Sequence, residues 1–214
     1  TLLAARKRLS FEELLDFQLK LRSLRSRSRN DKAIKFFLPN MEEFYNSLEY
    51  TLTNAQKKAV DEIIYDMTNS SHIDESSGFT EPMRRLIQGD VGSGKTVIAA
   101  AAVYICAKNN CQASLMVPTE ILAEQHYKTF LQRMKPFDIR VECLNRFRTA
   151  EEQKAIVKAV ADGKVDIVIG THRLLSKDVD FYRLGLLVLD EEQRFGVEHK
   201  EKIKALKTSV DVLT

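Results

Sequence analysis

At 214 residues, with 44% hydrophobic and 29% charged content, the chain is long enough for one domain with a substantial core and too short for two full ones. No apolar run approaches the ~18 residues a bilayer span needs, and no charged-then-apolar leader opens TLLAARKRLS, so a soluble cytoplasmic protein without a membrane partner is expected. A net charge of +3 is too small to mark a nucleic-acid partner by composition, and Cys106, Cys111 and Cys143, lacking paired spacing, point to reduced, mostly buried thiols rather than disulfides or a zinc site.

The first segment, FEELLDFQLKLRSLR, places Phe11, Leu14, Leu15, Gln18, Leu19 and Leu21 to Leu24 near helical spacing, which predicts an amphipathic helix. Its apolar face must pack on the main body or on a preceding domain, and Thr1 as first residue favours the second. The stretch from Lys20 to Arg29 carries five positive charges and no acidic residue. Charge alone leaves it either a phosphate-attracting segment or a solvated linker. A second helical run spans Met41 to Leu48, and a third, beginning LTNAQKK, is capped at Thr53 or Asn54. The polar, turn-rich segment from Asn69 to Pro82 reads as a surface loop.

From Arg85 onward, short runs rich in Val, Ile and Leu alternate with helical segments: RLIQG, ASLMVP, IRVECL, VDIVIG, LGLLVLD and VDVLT. Such alternation predicts an α/β fold, a parallel sheet flanked by helices, with residues 1–40 as a helical linker and 41–214 as the main lobe. The last run stops inside an apolar strand, which predicts a lobe truncated at Thr214.

Chemistry concentrates in two places. GDVGSGKT, from Gly89 to Thr96, matches G-x-x-x-x-G-K-[ST] and falls between the strand RLIQ and the helix TVIAAAAVYICA. Gly89, Gly92 and Gly94 let the backbone turn tightly, so that the N–H groups of Asp90, Val91, Ser93 and their neighbours face a triphosphate at a helix N-terminus. Lys95 reaches the β- and γ-phosphates, and the Thr96 hydroxyl ligands magnesium. Hydrolysis also needs carboxylates near that metal, and the tetrad Asp190-Glu191-Glu192-Gln193 follows an apolar strand whose carboxyl end lies on the same sheet edge. Asp190 would hold magnesium and Glu191 would deprotonate the attacking water, whereas Glu192 stays open between catalysis and a solvated turn.

The phosphate loop and the DEEQ tetrad, with VPTEILAEQH (Val117 to His126) and GTHRLL (Gly170 to Leu175), resemble the motif series of superfamily 2 helicases. The continuation DEEQRFGV, Asp190 to Val197, resembles the RecG and Mfd branch. The likeness is uneven. ARKRLSFEELLDFQLKLRS, LIQGDVGSGKT and PTEILAEQHYKTF look like RecG; NRFRTAEEQK, GTHRLLSKDVDF and the segment from Asp190 onward look like Mfd. Either a divergent member or a chimera joined near Phe130 to Leu144 would read this way. The resemblance implies a RecA-like ATP-binding lobe of a DNA helicase or translocase of repair and recombination, with ATP and Mg2+ as ligands and DNA as sequence-independent partner. It implies that Gln56 reads adenine, that Gln193 senses the γ-phosphate, and that Pro118, Thr119, Thr171 and His172 contact the tracked strand's backbone. A second RecA-like lobe would supply arginines for the reaction. A RecG-like enzyme would remodel forks, and an Mfd-like one would act on RNA polymerase.

His126 and His172 have no second ligand at metal spacing, so no metal beyond magnesium is expected, and His126 is expected to pack or face solvent on its helix. Two other function classes compete. A nucleotide-responsive binding module would not need Glu191, and a phosphate-loop kinase would not need the PTE and GTH segments.

Overall fold

The structure, a computed structural model, describes residues 2–27, 34–68, 82–90, 92–206 and 210–214. The turn-rich segment 69–81, Val91 of the phosphate loop and the side chains of the basic stretch from Lys20 to Arg29 lie outside the described residues.

Each apolar run from Arg85 onward contributes one strand: β1 (Arg84–Arg85), β2 (Gln112–Met116), β3 (Val141–Leu144), β4 (Ile167–Gly170), β5 (Leu184–Leu189) and β6 (Asp211–Leu213). All pairings are parallel, and the strand order is β1-β6-β5-β2-β4-β3. The runs are continuously apolar because both faces are covered. Ala113, Leu115, Ile167, Ile169, Leu186 and Val188 pack into one cluster, and the intervening Met116, Val168, Leu187 and Leu189 pack into a second. β1 is shorter than the run RLIQG predicts. Among the described residues it lies at the sheet edge beside β6, Leu86 is exposed, and past the two-residue ladder the Ile87 N–H donates to Thr214 O at 2.7 Å while the Thr214 N–H donates to Arg85 O at 2.9 Å. Its two arginines suit an edge, where charge blocks further strand addition. Arg85 pairs with Asp66 at 2.6 Å and with Glu62.

Seven α-helices accompany the strands among the described residues: α1 (Leu2–Arg27), α2 (Met41–Asn46), α3 (Asn54–Thr68), α4 (Lys95–Lys108), α5 (Glu120–Met134), α6 (Ala150–Ala161) and α7 (Val197–Leu206). α3, α4 and α5 contribute to the first cluster, and α6 and α7 to the second. α4 is buried from Val97 to Cys106, and its run of four alanines brings its backbone close to the sheet. Residues ahead of Met41 also join the core: Phe36 is buried, and Asn109 accepts from the Phe37 N–H and donates to Phe37 O.

α1 forms as a helix, but its amphipathic reading needs correction. Leu9, Phe11, Leu14, Leu15, Phe17 and Leu19 are all exposed, and at 100° per residue they spread around the axis instead of forming one stripe. Leu9 and Phe17, which the spacing argument passed over, face away from Phe11 and Leu15.

Because all six strands run parallel, their carboxyl ends share one edge. The phosphate loop, Pro118-Thr119, Gly170-Thr171 and Asp190 all follow strands and therefore meet there.

At β6, Asp211 is 4% exposed and accepts the Met83 N–H at 2.7 Å. Burial pushes its carboxyl up to about 7, against the opposing effects of that hydrogen bond and of Arg84. The folded state therefore binds this proton more tightly than the unfolded chain, so the associated stability is complete below the ordinary carboxylate range and disappears as pH rises through about 7. Asp211→Asn keeps an oxygen for Met83 without the charge. It is expected to raise stability at pH 8 by about 2 kcal/mol and to leave it nearly unchanged at pH 4, as thermal melts of both proteins at the two pH values will show.

Candidate nucleotide-binding site and adjoining strand edge

The phosphate loop leaves β1 and enters α4 at Lys95, with Gly94 as the N-cap residue at φ 86°. That left-handed backbone, and the Gln56 Nε2 lying where a Cβ would stand, leave room only for glycine. At Gly89 a Cβ would meet the Ser93 Oγ at 2.6 Å, a contact that rotation of the serine side chain can relieve. Lys95 Nζ donates to Gly89 O at 2.7 Å and Asp90 O at 2.9 Å, so the ammonium already sits inside the loop's curve.

Gln56 reaches the same loop from α3. Its Oε1 accepts the Thr53 N–H at 2.9 Å while Thr53 Oγ1 accepts the Gln56 N–H, a reciprocal cap of α3. Its Nε2 donates to Ser93 O at 2.8 Å. The amide implied to read adenine therefore joins the helix cap to the phosphate loop, with one Nε2 hydrogen and one Oε1 lone pair not used by Ser93 and Thr53.

Across the edge, Asp190 ends β5, with its N–H donating to Met116 O at 3.0 Å. Glu191 then adopts φ 55°, ψ 40° and opens a 3-10 turn over Glu192–Arg194. A left-handed glutamate costs on the order of 1–2 kcal/mol and persists only where its surroundings hold it. Here the Arg194 N–H donates to Glu191 O at 2.8 Å, and the Glu191 carboxylate accepts from Gln193 Nε2 at 2.7 Å and pairs with Arg194 at 3.2 Å.

Lys95, Thr96, Asp190, Glu191 and Gln193 line one cleft of about 230 Å³. His126 lines it too, which departs from the packed or solvent-facing role expected of it: its Nε2 lies 3.0 Å from Asp190 Oδ2. This hydrogen bond, ahead of its charge effect and that of Lys95, holds the Asp190 carboxyl below the usual carboxylate range. The signal was present in the sequence. Ala123, His126, Phe130 and Met134 recur at helical spacing, and the other three are fully buried.

The residues implied to grip DNA form a neighbouring patch. Thr119 is exposed and caps α5, its hydroxyl accepting the Leu122 N–H at 3.3 Å; Pro118 precedes it, half-buried. Thr171 differs from the expectation of direct strand contact. It is 1% exposed, and its hydroxyl donates to Glu120 Oε1 at 3.2 Å. Glu120 Oε2 also accepts the Arg146 N–H at 3.2 Å, so this carboxylate, missed by the sequence reading, ties α5 to the loops after β3 and β4. His172 is exposed beside His199, with ring centroids 4.8 Å apart and planes at 29°. Burial first, then the nearby His199 and Arg146 charges, push the His172 imidazole below its ordinary pKa.

Among the described residues no group of three or more His, Cys, Asp or Glu could hold a metal, and the three cysteines are free and buried. Nor is any helix among them long and apolar enough to cross a membrane.

Comparison with known proteins adds the lineage. The chain is 47% identical over 171 residues to a transcription-repair-coupling factor of Staphylococcus epidermidis, covering 80% of this chain and 14% of that protein. The corresponding protein of Staphylococcus aureus is 49% identical over 165 residues. A structure of RecG bound to a three-way DNA junction superposes with a TM-score of 0.80 and 39% identity, covering 98% of this chain and 27% of that one. A hypothetical ATP-dependent RNA helicase from Sulfolobus tokodaii shares the fold, at TM-score 0.57 and 18% identity. The family model for DEAD/DEAH box helicases matches residues 53–213, which spans the phosphate loop, the acidic tetrad and all six strands, and the chain belongs to that family.

Proposed function

We propose that residues 41–214 are the ATP-binding motor lobe of an ATP-dependent DNA translocase of the RecG and Mfd type, acting in repair and recombination, with residues 1–40 as a helical linker. The observation that carries this reading is the convergence of Lys95, Thr96, Asp190, Glu191 and Gln193 on one cleft at the carboxyl edge of the sheet.

In this reading Lys95 exchanges the carbonyls of Gly89 and Asp90 for β- and γ-phosphate oxygens, and the loop N–H groups carry the remaining charge. The Thr96 hydroxyl and the ionised Asp190 carboxylate offer hard oxygen donors in the same cleft, a set suited to magnesium. Magnesium, when bound, neutralises charge on the β- and γ-phosphates. Glu191 accepts a proton from the water that attacks the γ-phosphorus, the bond from phosphorus to the bridging oxygen breaks, and ADP and phosphate result. Gln193, bonded to Glu191, reports on the γ-phosphate. Thr119, Pro118 and His172 meet the sugar-phosphate backbone of the strand, braced by Thr171 through Glu120; such contacts grip without sequence preference.

The likeness to RecG over 98% of the chain supports branched DNA as the substrate. The higher identity to transcription-repair-coupling factors supports a second reading, in which the lobe serves a translocase that acts on RNA polymerase. The chain spans 14% of that relative and 27% of the RecG chain, and a second RecA-like lobe is the proposed partner that supplies catalytic arginines. Such an arginine contributes roughly 10³ to 10⁵ in rate, so the chain alone is expected to turn over ATP slowly.

Titration with a fluorescent ATP analogue, beside steady-state hydrolysis with and without duplex and forked DNA, tests the reading. Lys95→Ala is expected to weaken nucleotide binding by roughly 30-fold or more, since it removes one partner of a charged pair. Equal affinity in both proteins overturns the nucleotide site. Fast DNA-stimulated turnover by the chain alone overturns the need for a second lobe.

A further inference from the structure

His126 Nε2 lies 3.0 Å from Asp190 Oδ2, and in the tautomer that carries its proton on Nε2 the imidazole donates to the carboxylate. The histidine side chain is 17% exposed and sits within the cleft. Its helix is packed through Ala123, Phe130 and Met134, all fully buried, so α5 cannot carry the donor away without leaving the sheet. Asp190 itself directly follows β5, its N–H donating to Met116 O at 3.0 Å, so the carboxylate is met by a donor from a different element of the fold than the strand that carries it.

We propose that His126 is a positioning residue for the magnesium-binding carboxylate: its N–H fixes the rotation of Asp190, so that the group meets the cation already oriented. This rests on the reading of Asp190 as the magnesium carboxylate. A fixed donor removes the ordering that a free carboxylate would undergo on binding, and hydrogen-bond partners behind metal ligands change affinity by roughly 10- to 100-fold. A space-filling imidazole would contribute nothing of this kind, because a ring of similar size would serve equally well. With its proton directed at Asp190, His126 does not ligand the cation itself.

The experiment measures the Mg2+ concentration giving half-maximal binding of a fluorescent ATP analogue to the whole chain. It compares the unmodified protein with His126→Phe, which keeps ring bulk, His126→Gln, which keeps an N–H donor, and Asp190→Asn. His126→Phe is expected to raise the Mg2+ midpoint about 10-fold, and His126→Gln to restore most of that loss. Thermal melts check folding, and His126→Leu replaces His126→Phe should the latter unfold. If Asp190→Asn shifts the midpoint and His126→Phe does not, the inference fails and the site reading stands. Equal losses in the Phe and Gln variants also overturn it. A midpoint indifferent to Asp190→Asn overturns the site reading and the inference together. Electron spin-echo spectroscopy with Mn2+ and nucleotide is expected to show no directly coordinated imidazole nitrogen, and such a nitrogen would make His126 a ligand instead.

Discussion

Glu191→Gln is expected to lower ATP turnover by about 10²- to 10⁴-fold, the range over which a positioned general base accelerates its reaction, while leaving nucleotide affinity within a few-fold. The substitution is nearly isosteric. A glutamine oxygen can still accept from Gln193 Nε2, so the turn over Glu192–Arg194 keeps its main side-chain tie and loses only the ion pair to Arg194. What disappears is the ability to take a proton from water. Single-turnover hydrolysis with protein in excess of ATP reads this directly, because slow chemistry stays measurable there. Unchanged turnover would remove Glu191 from the reaction and return the tetrad to a structural role. Glu191 also occupies a left-handed backbone that glycine would tolerate better. Glu191→Gly is thus expected to be harmless to folding and as damaging to chemistry as the glutamine, which separates the strained turn from the carboxylate.

The other large effect is on stability. Phe44→Ala is expected to destabilise the fold by about 3–5 kcal/mol, the usual result of truncating a buried phenylalanine. Phe44 is fully buried on a six-residue helix, with its ring centroid 5.4 Å from that of Tyr104 and 6.3 Å from that of Phe137. Such a short helix has little stability of its own, despite its Asn40 cap. α2 stays in place because Phe44 and Met41 dock on the first cluster. Denaturant unfolding measures the change. A loss below about 1 kcal/mol would mean that the site collapses around the missing ring, and that α2 is held by its cap more than by its core contacts.

The comparison of α1 with the strands explains how far the sequence could be read. The strands were legible because burial on both faces demands uninterrupted apolar runs, and few other arrangements of Val, Ile and Leu alternate so regularly with helices. α1 was legible as a helix but not in its environment. Spacing can pick a stripe from Phe11, Leu14 and Leu15, yet only the tertiary structure shows those residues exposed along with Leu9 and Phe17. β1 makes the same point at the sheet edge, where the apolar run does not show that the ladder comprises only Arg84 and Arg85 or that Leu86 is exposed.

By itself the sequence determined the parallel α/β lobe, the phosphate loop and the acidic tetrad, because these depend on local backbone demands: glycines where φ is positive, a lysine and threonine at a helix start, a carboxylate after a buried strand. Only the tertiary structure decided which side chains face each other across segments distant in sequence. His126 meets Asp190 from 64 residues away, Glu120 gathers Thr171 and Arg146, and Gln56 reaches Ser93 across 37 residues. Helical spacing put His126 on a buried face, but the order β1-β6-β5-β2-β4-β3, which makes β2 and β5 neighbours, sets that face beside the end of β5. Strand order arises from long-range packing that no local pattern encodes, so the partners of His126, Glu120 and Gln56 become visible only once the sheet is assembled.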